Sequence, residues 1–191
     1  MTVLVTGGCG YIGSHMVHEL ADAGEQVIVL DNLSTGFRSA LPEGVPLYVG
    51  DVGDPHLVPA LIDAHGVKSI IHFAASIVVP DSLRRPLDYY RNNTATTRAI
   101  LESAVNCGVE HFIFSSTAAV YGNPDVMPIS EQAPTISMSP YGSSKLMSEI
   151  MLHDVAAAHG MRYAILRYFN VAGTDPQQRT GTADGQFPPG F

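Results

Sequence analysis

The sequence has no tryptophan, and its 191 residues include two cysteines, Cys9 and Cys107, and two lysines, Lys68 and Lys145. Two distant cysteines without metal-ligand spacing exclude a disulfide framework and a cysteine-based metal site; they suit reduced thiols and a cytoplasmic protein. Positive charge is scarce: Lys and Arg total 10 against 18 Asp and Glu, a formal net charge of -8. With no basic run, neither nucleic acid nor an anionic membrane is expected as a partner. No signal-like segment opens the chain, and no apolar run is long enough to span a bilayer. The 8 histidines form no His-Glu-x-x-His set, so no metal is expected. His15 and His18 read as surface or packing residues.

What the chain does have is apolar residues, 46% of the total with a mean hydropathy of +0.14, enough for one sizeable core. Its organising stretch is the first one. Val3 to Val5 is a short apolar run that reads as a buried strand. Gly7, Gly10 and Gly13 follow at a spacing of three. Tyr11 to Ala23 then reads as a helix with Ile12, Met16, Leu20 and Ala23 on one face, stopped by Gly24. Strand, glycine turn and helix is the context of a dinucleotide site: the helix N-terminus faces the phosphates and the glycines allow close backbone approach. A second strand, Gln26 to Leu30, ends in Asp31, placed to accept hydrogen bonds from an adenosine ribose and to repel a 2′-phosphate.

Alternation continues downstream. Leu47 to Val49 is a short strand, Asp54-Pro55 starts a helix running to about His65-Gly66, and Ser69 to Ala75 is another buried strand. Leu87 to Asn106 reads as one long helix, His111 to Ser115 as a strand, Tyr141 to Gly160 as a helix, and Tyr163 to Arg167 as a sixth strand. The fold class is α/β, a Rossmann-like doubly wound parallel sheet with helices on both faces. Residues 125–139 form an irregular, Pro- and Ser-rich loop over the sheet edge. From Asn170 onward there is no apolar periodicity, and loop or disorder is expected. The division expected is a dinucleotide-binding domain over 1–173 and an irregular tail over 174–191.

Two groups of residues can carry chemistry. Tyr141 and Lys145 stand four apart on a helix, so phenol and ammonium project from one face. A nearby cation favours phenolate, which makes Tyr141 a general base for an alcohol proton while a hydride leaves the same carbon. Ser115, Ser116 and Thr117 end the fifth strand, the edge of an open α/β sheet where ligands bind. Small polar residues there also serve as strand-end caps, and both readings stand at this point.

Eight ordered motifs support a family resemblance. They are Thr6-Gly-Gly-Cys-Gly-Tyr-Ile-Gly13, Asp31-Asn32, Asp51-Val52, His72-Phe-Ala-Ala75, Tyr89-Tyr-Arg-Asn-Asn93, Phe114 to Gly122, Ser139 to Lys145, and Arg167-Tyr-Phe-Asn170. From Met1 to about Gly173 the chain resembles the extended short-chain dehydrogenases/reductases, and among them the nucleotide-sugar 4-epimerases. The resemblance implies NAD as a resident cofactor and interconversion of UDP-glucose and UDP-galactose by oxidation and re-reduction at sugar C4.

It also implies residue roles. Tyr141 is the base, Lys145 holds the nicotinamide ribose and keeps Tyr141 acidic, and Thr117 bridges sugar oxygen and tyrosine. Gly7, Gly10, Tyr11, Ile12, Gly13, Asp31, Asn32, Leu33, Ser34, Thr35, Gly36, Asp51, Val52, Phe73, Ala74, Ala75, Asn93 and Phe169 line the cofactor site with Tyr141 and Lys145. Asn170 helps hold the uridine diphosphate, with Thr117 and Tyr141 at the sugar. Segments 87–106 and 141–158 form a homodimer interface. Sugar-nucleotide dehydratases carry an acidic pair after the threonine; Ala118-Ala119 here disfavours dehydration. Ile77 stands where some relatives have a lysine near the cofactor phosphates.

The family's C-terminal substrate lobe is largely absent, so a weak or inactive fragment is expected. A non-catalytic NAD-binding module, a UDP-uronate epimerase and a nucleotide-sugar reductase are the alternatives.

Overall fold

In the computed structural model, residues 1–180 are described, and the expected tail over 181–191 lies outside them. Six parallel strands pair in the order β3-β2-β1-β4-β5-β6. They are β1 (Thr2–Thr6), β2 (Gln26–Asp31), β3 (Leu47–Val49), β4 (Val67–His72), β5 (His111–Ser115) and β6 (Arg162–Leu166). All five residues of β1 are buried, as expected of a central parallel strand covered on both faces. Thr6 pairs with Leu30 on one side and His72 on the other. The order therefore reverses between β1 and β4, which opens a crevice at their carboxyl ends.

Two apolar layers hold the sheet. On one face, Leu4, Ile28, Ile70, Phe112 and Phe114 pack with Val58, Leu61 and Ile62 of α2 (Leu57–His65), and with Ile100 and Leu101 of a fifth helix and Leu152 of a sixth. On the other, Val3, Val5, Val27 and Val29 pack against Val17 of α1 (Tyr11–Asp22). Beyond α1's reach, β6 is mostly exposed along its length.

Three boundaries differ from the sequence expectation. The second helix begins at Leu57, two residues after Pro55, although Asp54 Oδ1 accepts from the amides of His56 (2.8 Å) and Leu57 (3.1 Å) and so caps the turn that leads into it, as expected. Residues 79–84 form an unforeseen short helix, α3 (Val79–Arg84). The single helix expected over 87–106 is instead α4 (Pro86–Tyr89), a π-helical stretch Tyr90–Ala95, and α5 (Thr96–Asn106). Apolar spacing does not reveal the wide turn because it resets the phase of the buried face.

The last helix is α6 (Pro140–His159), capped by Ser139, whose Oγ accepts from Gly142 N at 3.1 Å, with Pro140 in the first turn. Residues 170–180 are irregular, as expected, yet anchored. Tyr11 Oη donates to Gly173 O (2.5 Å), Ser14 and Thr180 hydroxyls meet at 2.6 Å, and Arg179 pairs with Asp22 of α1 at 2.7 Å. No helix among the described residues is long and apolar enough to cross a membrane.

Candidate active site

The glycine turn is shaped by close backbone approach. Gly7 adopts φ +69°, and a Cβ there would lie 2.6 Å from Ala74 N. A Cβ at Gly13 would run into the Gly7 carbonyl. The helix that follows starts at Gly10 with no capping side chain, so its first amides are left open as an anion cradle at the positive end of the helix dipole. This cradle fits a dinucleotide pyrophosphate.

Asp31 sits beside it, buried, with Oδ2 accepting from Cys9 N (2.9 Å) and Oδ1 from Leu33 N (2.8 Å). One carboxylate thus ties the glycine turn to the loop after β2. Each oxygen keeps a further lone pair for a ribose hydroxyl. Leu33 has φ +56°, a left-handed conformation rare for a bulky residue and placed in this same loop. Beside Asp31, burial and that carboxylate push the Cys9 thiol up to about 12, so it stays protonated.

Other expected cofactor residues divide by placement. Tyr11, Ile12, Gly36, Phe73, Ala74 and Ala75 are half-buried around the crevice, while Asn32, Ser34, Thr35 and Asp51 are exposed at its rim. Val52 is buried in the core and reaches the site only through its backbone. Asp51 borders a cleft of about 680 Å³ that also includes Arg91, Asn92 and Thr96. Asn93 is buried with its amide fully engaged: Oδ1 accepts from Ser76 N (2.8 Å), and Nδ2 donates to Ser76 O and Ser144 Oγ (both 3.0 Å). It ties the loop after β4 to α6, so its side chain supports the site rather than lining it. Phe169 (66% exposed) and Asn170 are exposed after β6. Ile77 is exposed beyond the β4 loop.

Tyr141 and Lys145 stand four residues apart on α6. Lys145 is buried, donates to Ser115 O at 2.9 Å, and lies 4.9 Å from the centre of the Phe114 ring. Burial pulls its ammonium down to about 7, with Glu149 acting against that fall. Burial raises the Tyr141 phenol, and a hydrogen bond from Thr117 opposes the rise. Thr117 Oγ1 accepts from Ala119 N (3.1 Å), which leaves its O–H free to point at the phenol. Tyr89 stands edge-on to Tyr141 at 6.4 Å.

Four residues near the site were not singled out from the sequence. Tyr168 Oη meets Ser115 Oγ at 2.5 Å, and its carbonyl accepts from Ala118 N at 3.0 Å. Glu149, almost fully buried, accepts from Ser116 Oγ and is gripped by Arg167, whose guanidinium also donates to Tyr121 Oη at 2.9 Å. The available signal was Glu149 lying four residues after Lys145, on the same helical face. Arg167, Tyr168 and Tyr121 fall inside the resemblance motifs, where nothing marked their roles.

A parallel sheet with an open switch point, a glycine cradle and a Tyr-x-x-x-Lys pair on α6 defines a dinucleotide-binding fold class. The family profile described as "NAD dependent epimerase/dehydratase family" matches residues 3–189. The chain belongs to that family. It is 56% identical over 181 residues to the UDP-glucose 4-epimerase of Azospirillum brasilense, covering 95% of this chain and 52% of that protein. A UDP-arabinose 4-epimerase of Arabidopsis thaliana is 40% identical over 190 residues, covering 95% and 45%. The solved UDP-glucose 4-epimerase of Brucella ovis in complex with NAD superposes with a TM-score of 0.92 at 40% identity, covering 97% of this chain and 57% of that one. The chain spans about half the length of the curated relatives it matches.

Proposed function

We propose that this chain carries the NAD-binding and proton-transfer half of a UDP-glucose 4-epimerase acting on UDP-glucose and UDP-galactose. The observation that carries this reading is the buried Lys145, which shares α6 with Tyr141 and donates to Ser115 O at 2.9 Å, at the carboxyl end of the same sheet that bears the uncapped glycine cradle. NAD, when bound, supplies a reversible hydride acceptor. Gly7, Gly10 and Gly13 with the first amides of α1 hold its phosphates, and Asp31 holds its adenosine ribose. Tyr141 takes the proton from the sugar 4-hydroxyl and later returns it. The Thr117 hydroxyl stabilises the phenolate, and Lys145 adds positive charge beside the reacting oxygens. Phe169 and Asn170 extend the site toward nicotinamide and diphosphate.

Two further parts of the reading rest on surface composition. Leu87 (79% exposed), Met147 and Ile150 leave apolar side chains outward on the segments assigned to a homodimer interface. Reduced, unpaired cysteines suit a cytoplasmic setting.

The test is a pair of measurements on the chain and its Tyr141→Phe variant. Both should retain NAD through gel filtration, and of the two only the unsubstituted chain should convert UDP-galactose to UDP-glucose, at the weak rate expected of this chain, read by chromatography. Equal rates in the two proteins overturn the assignment of the base. Retention of NAD without any conversion points to a cofactor-binding module, the second reading. Conversion of UDP-arabinose in preference to UDP-galactose reassigns the sugar.

A further inference from the structure

Tyr141 and Lys145 sit on α6, whereas Thr117 follows β5 on the sheet. A proton relay across that gap needs the strand end and the helix held in register, and the structure shows what holds them. Three consecutive residues leave β5, and the first two dock onto α6: Ser115 O accepts from Lys145 Nζ at 2.9 Å, and Ser116 Oγ donates to Glu149 Oε1. The third is Thr117 itself. Glu149 is 1% exposed, and Arg167 Nε reaches both of its oxygens, at 3.0 and 3.1 Å. Arg167 follows β6, and Ser116 N donates to Leu166 O at 2.9 Å, so the clamp joins two strand ends to one helix.

We propose that Glu149 is a positioning residue of the site: through Ser116 and Arg167 it clamps the ends of β5 and β6 to α6, one helical turn from the Lys145 side chain. This deepens the epimerase reading and rests on it for its catalytic meaning. A buried carboxylate with its own arginine is not by itself unusual. What separates this one from a purely structural pair is its place one helical turn from a buried ammonium. The groups facing Lys145 from the packed elements are few. On α6 these are Glu149 and Tyr141. From β4 comes His72, uncharged in its buried site, and from β5 the Phe114 ring and the Ser115 carbonyl. After β6, Arg167 lies against Glu149 and the phenol of Tyr168 against Ser115 Oγ. Glu149 is the anion among them, and it opposes the effect of burial on Lys145.

The two lysines of the chain make a direct test available. Lysine labelled with ¹³C at Cε gives two signals, assigned by Lys68→Arg, and each titrates with its own ammonium. In the intact chain the Lys145 signal should titrate near 7. Glu149→Gln should move that midpoint down by about one unit or more, while Glu149→Asp, which keeps the charge, restores most of it. Ser116→Ala cuts the strand link without leaving an unpaired buried charge. It should leave the Lys145 midpoint nearly in place, yet lower kcat for the sugar reaction at least about tenfold with KM little changed.

An unmoved Lys145 midpoint in Glu149→Gln overturns the electrostatic half of the proposal, and an unchanged kcat in Ser116→Ala overturns the positional half. Should Glu149→Gln fail to fold, Glu149→Asp with a midpoint displaced as far as about one unit overturns it too. The titration needs neither NAD nor turnover, so a chain that binds no cofactor fails the epimerase reading while leaving the Glu149 result to stand or fall separately.

Discussion

At the scale of single residues, burial sets the protonation of the site, and the consequences have definite signs. Lys145 titrates near 7 in the fold against an ordinary 10.5. Between those values the unfolded chain binds the extra proton, so this group's contribution to stability rises with pH across that window. Lys145→Met should therefore melt above the parent at pH 6, with the gap closing toward pH 9, as read by circular dichroism without cofactor. His72 has the opposite exposure to acid. Burial holds it near 3 against an ordinary 6.5, with Thr6 Oγ1 at 2.7 Å from Nδ1. Its contribution is lost as pH falls from about 6.5 toward 3, and His72→Gln should lose less of its urea midpoint between pH 7 and pH 4. Tyr141, Lys145 and Thr117 were legible as residues because their spacing and strand-end position are one-dimensional facts. The direction of the Tyr141 shift was not, because burial is decided by how α6 lies on the sheet.

At the scale of elements, the strands and most helices were legible from apolar runs bounded by glycine and proline, and their order implied the sheet. The π-helical stretch Tyr90–Ala95 was hidden, since its purpose is a single inward turn that buries Asn93 between Ser76 and Ser144. Asn93→Ala should unpair the Ser76 backbone on both sides and destabilise the fold by about 1–3 kcal/mol, measured by urea unfolding. The start of α6 makes a second case. Ser139 caps the turn that aims Tyr141, so Ser139→Ala should cost about 1 kcal/mol of stability and lower kcat more than it raises KM. The anchoring of segment 170–180 to α1 through Arg179, Asp22, Ser14 and Thr180 joins residues more than 150 positions apart, beyond any local pattern. Arg179→Met should speed proteolytic cleavage within that segment while the sheet stays intact.

At the scale of the whole molecule, α1 is the helix that packs on one face of the sheet among the described residues, whereas α2, α5 and α6 pack on the other. The homodimer assigned to segments 87–106 and 141–158 makes a direct prediction: sedimentation should show a dimer, and Leu87→Asp with Ile150→Asp should give monomers that still bind NAD. The scarcity of lysine reaches beyond the site. Lys68 is about half exposed at the surface, and Lys145 is sealed beneath α6. An acylating reagent consequently marks Lys68 at once and can reach position 145 only when α6 lifts from the end of β5. The rate at which that second acyl group arrives is a clock for the opening of the active site, readable by mass spectrometry with no label, no substrate and no engineered probe.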